Sequence, residues 1–272
     1  MFGYHNKILI IDISSRAWQW QDIGEDVLKN FIGGSGLGAY LLYRYCPPGI
    51  DPFSPGNPLI FCTSPLVGSR LTTTSKFAVV SKSPQTGFVG DSLSSSSLAL
   101  SLKGIGADAV IVLGSSKEWI SLKVDETGVE FLPASQLVGF TTSKTEGYLK
   151  DTLGRKFDIA CIGPAGEKLV RFASISNDGG RQAGRTGNGA VMGSKKVKAI
   201  AFHGRRSVNA CNEESLSKRR KDLTVKSFGH ATEKYRTLGT MANLSVFDRL
   251  KVLPTGNFRN QRGNDFKDIT GE

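Results

Sequence analysis

Strand-length runs of β-branched and aliphatic residues recur along this chain, and tight turns join most of them. A doubly wound parallel sheet needs a helix of crossover length between successive strands. Lys7–Ile13 (KILIIDI) meets Ala17–Gln21 across Ser14-Ser15-Arg16, which predicts an opening hairpin. Trp119–Val124 and Gly128–Leu132 flank Asp125-Glu126-Thr127 and predict another. Further strands are predicted at Pro58–Cys62, Phe77–Ser81, Ala107–Leu113, Phe157–Ile162, Leu169–Ile175 and Lys198–His203. Helices are predicted at Asp26–Ile32, Gly33–Cys46 and Ser143–Leu153, the second stopped by Pro47-Pro48-Gly49. A further helix is predicted over Gly90–Lys103 (GDSLSSSSLALSLK), where Asp91 and the serines offer N-cap chemistry ahead of spaced leucines. With about nine strands and only short helices between them, the pattern favours an α+β fold of mixed or antiparallel sheets.

The texture changes after Gly204. Val208–Lys226 is polar and basic, Thr232–Leu250 has helical character, and Pro254–Asp268 reads as loop. A boundary near Ser207 follows, with one domain over residues 1–207 and a second segment over 208–272 that holds too few spaced apolar positions for a core of its own. The glycines of Gly33–Gly38 resemble a dinucleotide fingerprint only loosely. Their spacing is not GxGxxG, and close packing of a helix on a sheet is the better reading.

Composition excludes several classes. No window carries eighteen uninterrupted apolar residues, so no membrane span is expected, and MFGYHNKILIIDISS lacks the layout of a signal peptide. The cysteines Cys46, Cys62, Cys161 and Cys211 are scattered, outside any zinc or iron–sulfur spacing, which suits a reducing cytoplasm. Net charge is +11, which favours anionic partners. Nucleic acid is not favoured among them: apart from Lys218-Arg219-Arg220-Lys221, read as a solvated helix face, the basic residues are dispersed and no recognition motif accompanies them.

The most specific chemistry lies in Asn177–Ser194, NDGGRQAGRTGNGAVMGS. Arg181 and Arg185 stand among six glycines around Ala183. Glycine lets backbone approach a ligand closely, and guanidinium is a planar fork of donors that matches phosphate. The stretch reads as a loop holding an anionic, phosphorylated ligand. The histidines His5, His203 and His230 are isolated and read as strand-end or surface residues, and no residue qualifies as a catalytic acid or base.

IGGSGLGAYLL, SKFAVVSKSPQTGF, LKGIGADAVIVLG, IGPAGEKLVRFASISNDGGRQAGRTGNGAVMGSKKVKAIAFHG and LPTGNF occur in that order. Together they resemble the N-terminal part of the tungsten-dependent aldehyde ferredoxin oxidoreductases over roughly residues 5–272, most strongly over Ile162–Gly204. The resemblance implies two related β-sheets with short helices forming a platform for tungstopterin, a tungsten (or molybdenum) ion held by two pyranopterin dithiolenes. It implies a magnesium ion bridging the pterin phosphates, followed by the start of a helical domain. A four-iron four-sulfur cluster and the residues close to the metal belong, by the same resemblance, to C-terminal helical domains or a separate subunit outside this chain. The family oxidises an aldehyde to a carboxylate and passes electrons through the cluster to ferredoxin.

Carried over position by position, Arg181, Ala183, Gly184 and Arg185 fall on the pterin-phosphate loop, with Gln182 inside it and the Ala183 carbonyl toward magnesium. Lys76 stands where the family commonly has arginine. Where the family shows an asparagine that helps bind magnesium, followed by paired glycines, this chain has Leu93, Ser95 and Ser96. The leucine side chain offers no oxygen to a hard cation. Asp91, Ser92 and Ser94 are the candidate substitutes, and a weakened cofactor site is the alternative. Two readings follow: the cofactor-binding portion of such an oxidoreductase, inactive without its other domains and left with an exposed apolar face, or a degenerate, non-catalytic pterin-binding relative.

Overall fold

In the computed structural model, which describes residues 1–259, twelve strands form two six-stranded sheets. The first sheet is built from β1 (Lys7–Asp12), β2 (Ala17–Asp22), β3 (Leu59–Cys62), β4 (Lys76–Lys82), β5 (Val89–Ser95) and β6 (Ala109–Leu113). Helices α1 (Glu25–Phe31) and α2 (Gly34–Tyr45) fall between β2 and β3, and α3 (Leu98–Gly104) between β5 and β6. The second sheet uses β7 (Ile120–Asp125), β8 (Gly128–Pro133), β9 (Asp158–Cys161), β10 (Ile175–Asn177), β11 (Arg181–Ala183) and β12 (Val197–Phe202). Helix α4 (Thr142–Leu153) precedes β9, the short α5 (Pro164–Glu167) follows it, and α6 (Asn188–Ser194) leads into β12.

The two sheets repeat one topology. Their orders are β2-β1-β6-β3-β4-β5 and, from the matching end, β8-β7-β12-β9-β10-β11. In each, the opening strand pairs in parallel with the closing strand (β1 with β6, β7 with β12) and every other pairing is antiparallel. Register makes the correspondence residue by residue. Cys62 lies opposite Ala109 and Ala78, and Cys161 opposite Ala199 and Ser176. One strand further, Ala78 faces Leu93 and Ser176 faces Gln182. Leu93 and Gln182 therefore hold equivalent places on the outer strands of the two sheets.

Alternation along the strands creates three apolar layers. Leu9, Ile11, Phe61, Val79 and Val110 of the first sheet meet Leu122, Val124, Ala160, Ile200 and Phe202 of the second in a shared core, with the Phe61 and Phe202 rings 5.8 Å apart. Ile8, Ile10, Ile60 and Val80 point the other way, under Leu28 of α1 and Leu37 and Leu41 of α2. Leu149 of α4 covers Ile159 and Cys161 on the outer face of the second sheet. Burying each such side chain contributes roughly 1.5–3 kcal/mol, so these layers hold the sheets in register. The glycine run at α2 serves packing: a Cβ on Gly38 would collide with the Val80 side chain.

Three expectations are corrected. Gly90–Lys103 is not one helix: β5 occupies Val89–Ser95 and α3 begins at Leu98. Residues of β5 alternate between exposed and buried, and the inward hydroxyls of Ser92 and Ser94 find partners on the second sheet, a strand use of residues that also suit N-caps. Leu169–Ile175 is strand only at its end, where β10 starts, because Leu169 adopts φ 57° and 170–174 run as loop. Thr232–Leu250 is broken into α8 (His230–Leu238) and α9 (Leu244–Arg249), since Gly239 ends α8 at φ 63° and a 3₁₀ turn follows.

Packing divides the chain into a compact unit, Met1–Leu216, and a second beginning at Ser217, inside α7 (Glu213–Ser227). Helix α7 carries Glu213 and Glu214 in its first turn, where they complement the helix dipole, and buries none of its residues, consistent with a solvated basic face. The LPTGNF segment ends within the described residues, whereas the rest of the predicted loop to Asp268 lies outside them. No helix among the described residues is long and apolar enough to cross a membrane.

Candidate functional site

The outer strands β5 and β11 meet along a seam between the two sheets. Arg185 N donates to Ser92 Oγ at 3.0 Å, the Thr186 hydroxyl reaches Asp91 O at 3.4 Å, and Ser94 shares hydrogen bonds of 3.1 and 3.2 Å with the Asn177 amide. The inward serines of β5 thus replace a sheet hydrogen-bond ladder with side-chain contacts. Its other face, with Val89, Asp91, Leu93 and Ser95, turns outward.

The glycine–arginine run is a short strand and a helix joined by a tight corner. Thr186 and Gly187 adopt φ 62° and 77°, and a Cβ on Gly187 would run into Arg171 O. Asn188, fully buried at the first turn of α6, secures that corner. Its amide donates to Val79 O (3.2 Å) and Thr186 Oγ1 (3.3 Å), and its Oδ1 accepts from Ser81 Oγ (2.6 Å). The hairpin before β11 is gripped by Glu146 of α4, whose carboxylate accepts from Gly179 N at 3.0 Å and from Lys150 Nζ at 2.6 Å. Sequence pattern singles out neither residue: Asn188 lies in the glycine–arginine run, where the arginines and glycines carry the signal, and Glu146 in an ordinary helix.

Arg181 and Arg185 are exposed on the seam, and Lys76 is exposed at the start of β4, opposite Ser95. Among the described residues none of these three cationic groups has a protein partner, which leaves three positive charges and their donors facing solvent. Gly184 between the arginines is open, its nearest neighbour to a hypothetical Cβ being Gln182 Cβ at 3.6 Å. Gln182 is turned along its own sheet: its Oε1 accepts from Ser174 Oγ (2.7 Å) and its Nε2 donates to Ser176 Oγ (2.9 Å). Ala183 is fully buried, with its methyl in the inter-sheet core and its main chain paired with Ile175. Ser95 Oγ donates to Ser75 O at 3.1 Å. Most of the sequence-selected residues therefore lie on the seam, with Arg181, Gly184 and Arg185 available and Gln182 and Ser95 engaged, while Lys76 is exposed one strand away on β4.

Behind the seam lie buried charges that serve structure. Lys198 pairs with Glu167, and Lys103 with Asp108, whose carboxylate also accepts from His5 N and Asn6 N. Lys195 is fully buried, the carbonyls of Pro55 and Gly114 are its hydrogen-bond partners among the described residues, and burial pushes its amine down to about 7. His203 packs against Phe157 just past β12, and His230 is exposed beside Glu233. No cluster of three or more His, Cys, Asp or Glu side chains that could hold a metal occurs among the described residues.

Residues 8–204 match the family model described as aldehyde ferredoxin oxidoreductase, N-terminal domain. The chain is 38% identical over 268 residues to the tungsten-containing aldehyde ferredoxin oxidoreductase of Pyrococcus horikoshii, covering 95% of this chain and 43% of that protein. The protein of the same description from Thermococcus kodakarensis is also 38% identical, with the same coverage. A WOR-like subunit of an aliphatic sulfonate oxidoreductase from Pyrococcus furiosus is 33% identical over 75% of this chain and 35% of its own length. Among solved structures, the BamBC active-site complex of benzoyl coenzyme A reductase, bound to 1,5-dienoyl-CoA, matches with TM-score 0.76 and 28% identity, covering 94% of this chain and 36% of that one. The chain thus spans less than half the length of these relatives.

Proposed function

Because the chain belongs to the aldehyde ferredoxin oxidoreductase family through its N-terminal domain, we propose that residues 1–207 are a tungstopterin platform whose β5–β11 seam holds the pterin phosphates. Residues 208–272 are then the opening of the helical domain. Arg181 and Arg185 donate to phosphate oxygens, Lys76 adds a third positive charge, and Gly184 lets the backbone come close. Gln182 supports the loop from behind through Ser174 and Ser176, and buried Ala183 anchors it to the core between the sheets. When bound, tungstopterin supplies two-electron redox chemistry, and this chain's residues bind and orient it. Aldehyde oxidation, the four-iron four-sulfur cluster and electron delivery to ferredoxin fall to the part that the longer relatives possess beyond this match, and the chain acts only with that part in place. The carrying observation is the pair of exposed arginines on the seam, with exposed Lys76 on the neighbouring β4, none of them partnered among the described residues.

The test is metal analysis with pterin fluorescence on chain purified anaerobically from a tungstate-supplied host, beside the Arg185→Ala variant. Tungsten and pterin should copurify with the parent chain and fall at least about tenfold in the variant, the scale of one lost charge-assisted contact. Equal retention by both proteins overturns the assignment of the seam.

A further inference from the structure

The strand that carries Arg181 opens on a turn with little of its own to hold its shape. Asp178, Gly179 and Gly180 join β10 to β11 at φ 45°, 67° and 125°, and a Cβ on either glycine would meet nothing within 4 Å. Backbone this free must be ordered by hydrogen bonds. Within the hairpin, Gly180 N donates to Asn177 O at 3.2 Å and Gln182 Nε2 to Gly180 O at 3.4 Å. From outside, Ser97 N reaches the exposed Asp178 carboxylate at 3.4 Å, a long contact. The firmest grip is that of Glu146, whose two carboxylate oxygens accept from Gly179 N at 3.0 and 3.2 Å. Glu146 is only 7% exposed and stands on the face of α4 that also buries Thr145 and Leu149. An inward helix position beside Leu149 ordinarily takes an apolar residue, and a carboxylate there is costly unless its charge is answered. Lys150, one helical turn on, answers it at 2.6 Å.

We propose that Glu146 is a positioning residue for the phosphate site: by fixing Gly179 it sets where β11 starts and so holds Arg181, two residues on, in place for the ligand. The proposal rests on the phosphate-binding reading above. Its partner Lys150 balances the carboxylate, so the pair brings no net negative charge to a site for anions. Arg185 is fixed independently, its N–H by Ser92 Oγ and the corner after it by Asn188. Glu146 therefore acts through one arginine of the two.

Calorimetric titration of the 272-residue chain with inorganic pyrophosphate, run on paired substitutions, tests this directly. Glu146→Ala should weaken binding about fivefold in the parent chain and in an Arg185→Ala background, and by less than about twofold once Arg181→Ala has removed the group it positions. Glu146→Gln keeps an oxygen to accept from Gly179 N and should bind within about twofold of the parent chain. Glu146→Asp keeps the charge beside Lys150 but stops one methylene short of Gly179. It should follow Glu146→Ala, and it carries the same comparison if the alanine chain does not fold. Equal losses in the parent and Arg181→Ala backgrounds overturn the proposal, since a merely structural role would produce them. No loss in any background overturns it as well, and so does a glutamine variant as weak as the alanine one. Absence of binding by the parent chain overturns the phosphate-site reading itself, a different result from any of these.

Discussion

A lysine amine sealed in protein with two neutral carbonyls for company changes how stability responds to pH. Lys195 is such a group: Pro55 O and Gly114 O accept its hydrogen bonds at 3.1 and 3.0 Å, and no carboxylate touches it among the described residues. Its amine titrates at about 7 in the folded chain against the ordinary 10.5, so between those values the unfolded chain holds a proton that the folded chain lacks. The state binding fewer protons gains as pH rises, and stability should climb through this window, with the full penalty felt below about pH 7. Thermal melts across the window should show that climb in the parent chain and a flatter one in Lys195→Met. The two carbonyls left unpaired lower the variant's melting temperature overall, so the difference in slope is the readout. Equal slopes would assign the dependence to other groups.

Elements were legible where one physical rule dominated. The hairpins at Ser14-Ser15-Arg16 and Asp125-Glu126-Thr127 were read within a residue or two, because turn chemistry and β-branched flanks agree there. The glycine–arginine run stands out by its residue types, whereas its folding into a strand, Arg181–Ala183, was not legible. What stayed hidden depends on partners distant in sequence. The run Asp91–Ser96 has serines that suit an N-cap, and only the second sheet, roughly ninety positions on, makes Ser92 and Ser94 inward strand residues. That the chain has two related sheets was legible only through the family resemblance, and register makes the doubling explicit through pairs such as Cys62 and Cys161. Asn188 illustrates the same limit at one element's start. Its amide joins α6 to β4 and to Thr186, so Asn188→Ala should destabilise the chain by about 2–4 kcal/mol, the scale of several buried groups left unsatisfied. Urea unfolding measures that loss. Pyrophosphate affinity should fall with it, because the corner carrying Arg185 is released. A stability loss with unchanged affinity would show that the corner holds its shape without Asn188.

At the scale of the whole molecule, the seam is ringed by apolar side chains that water should not be left to cover. Phe88 and Phe172 are 78% and 70% exposed, with Val89 and Leu93 along the outward face of β5. The loops that carry the two phenylalanines are tied together: Arg171, next to Phe172, donates to Pro84 O in the turn that leads to Phe88. The layers elsewhere in Met1–Leu216 are closed by α1, α2 and α4, whereas no helix of this unit covers these four residues. Exposed apolar surface of this kind marks a place for another surface. The longer relatives have more than half of their length beyond the match, which is ample to supply it. The 272-residue chain alone should therefore associate with itself in a concentration-dependent way. Light scattering after size-exclusion chromatography should show mass rising with concentration for the parent chain and a smaller rise for the Phe88→Ser, Phe172→Ser double variant. Both substitutions lie on exposed side chains, so melting temperature should change little, within about 0.5 kcal/mol per site in stability terms. A parent chain that stays monomeric at high concentration would mean that this apolar rim is tolerated by water, and would remove the physical reason for expecting a covering domain at the seam.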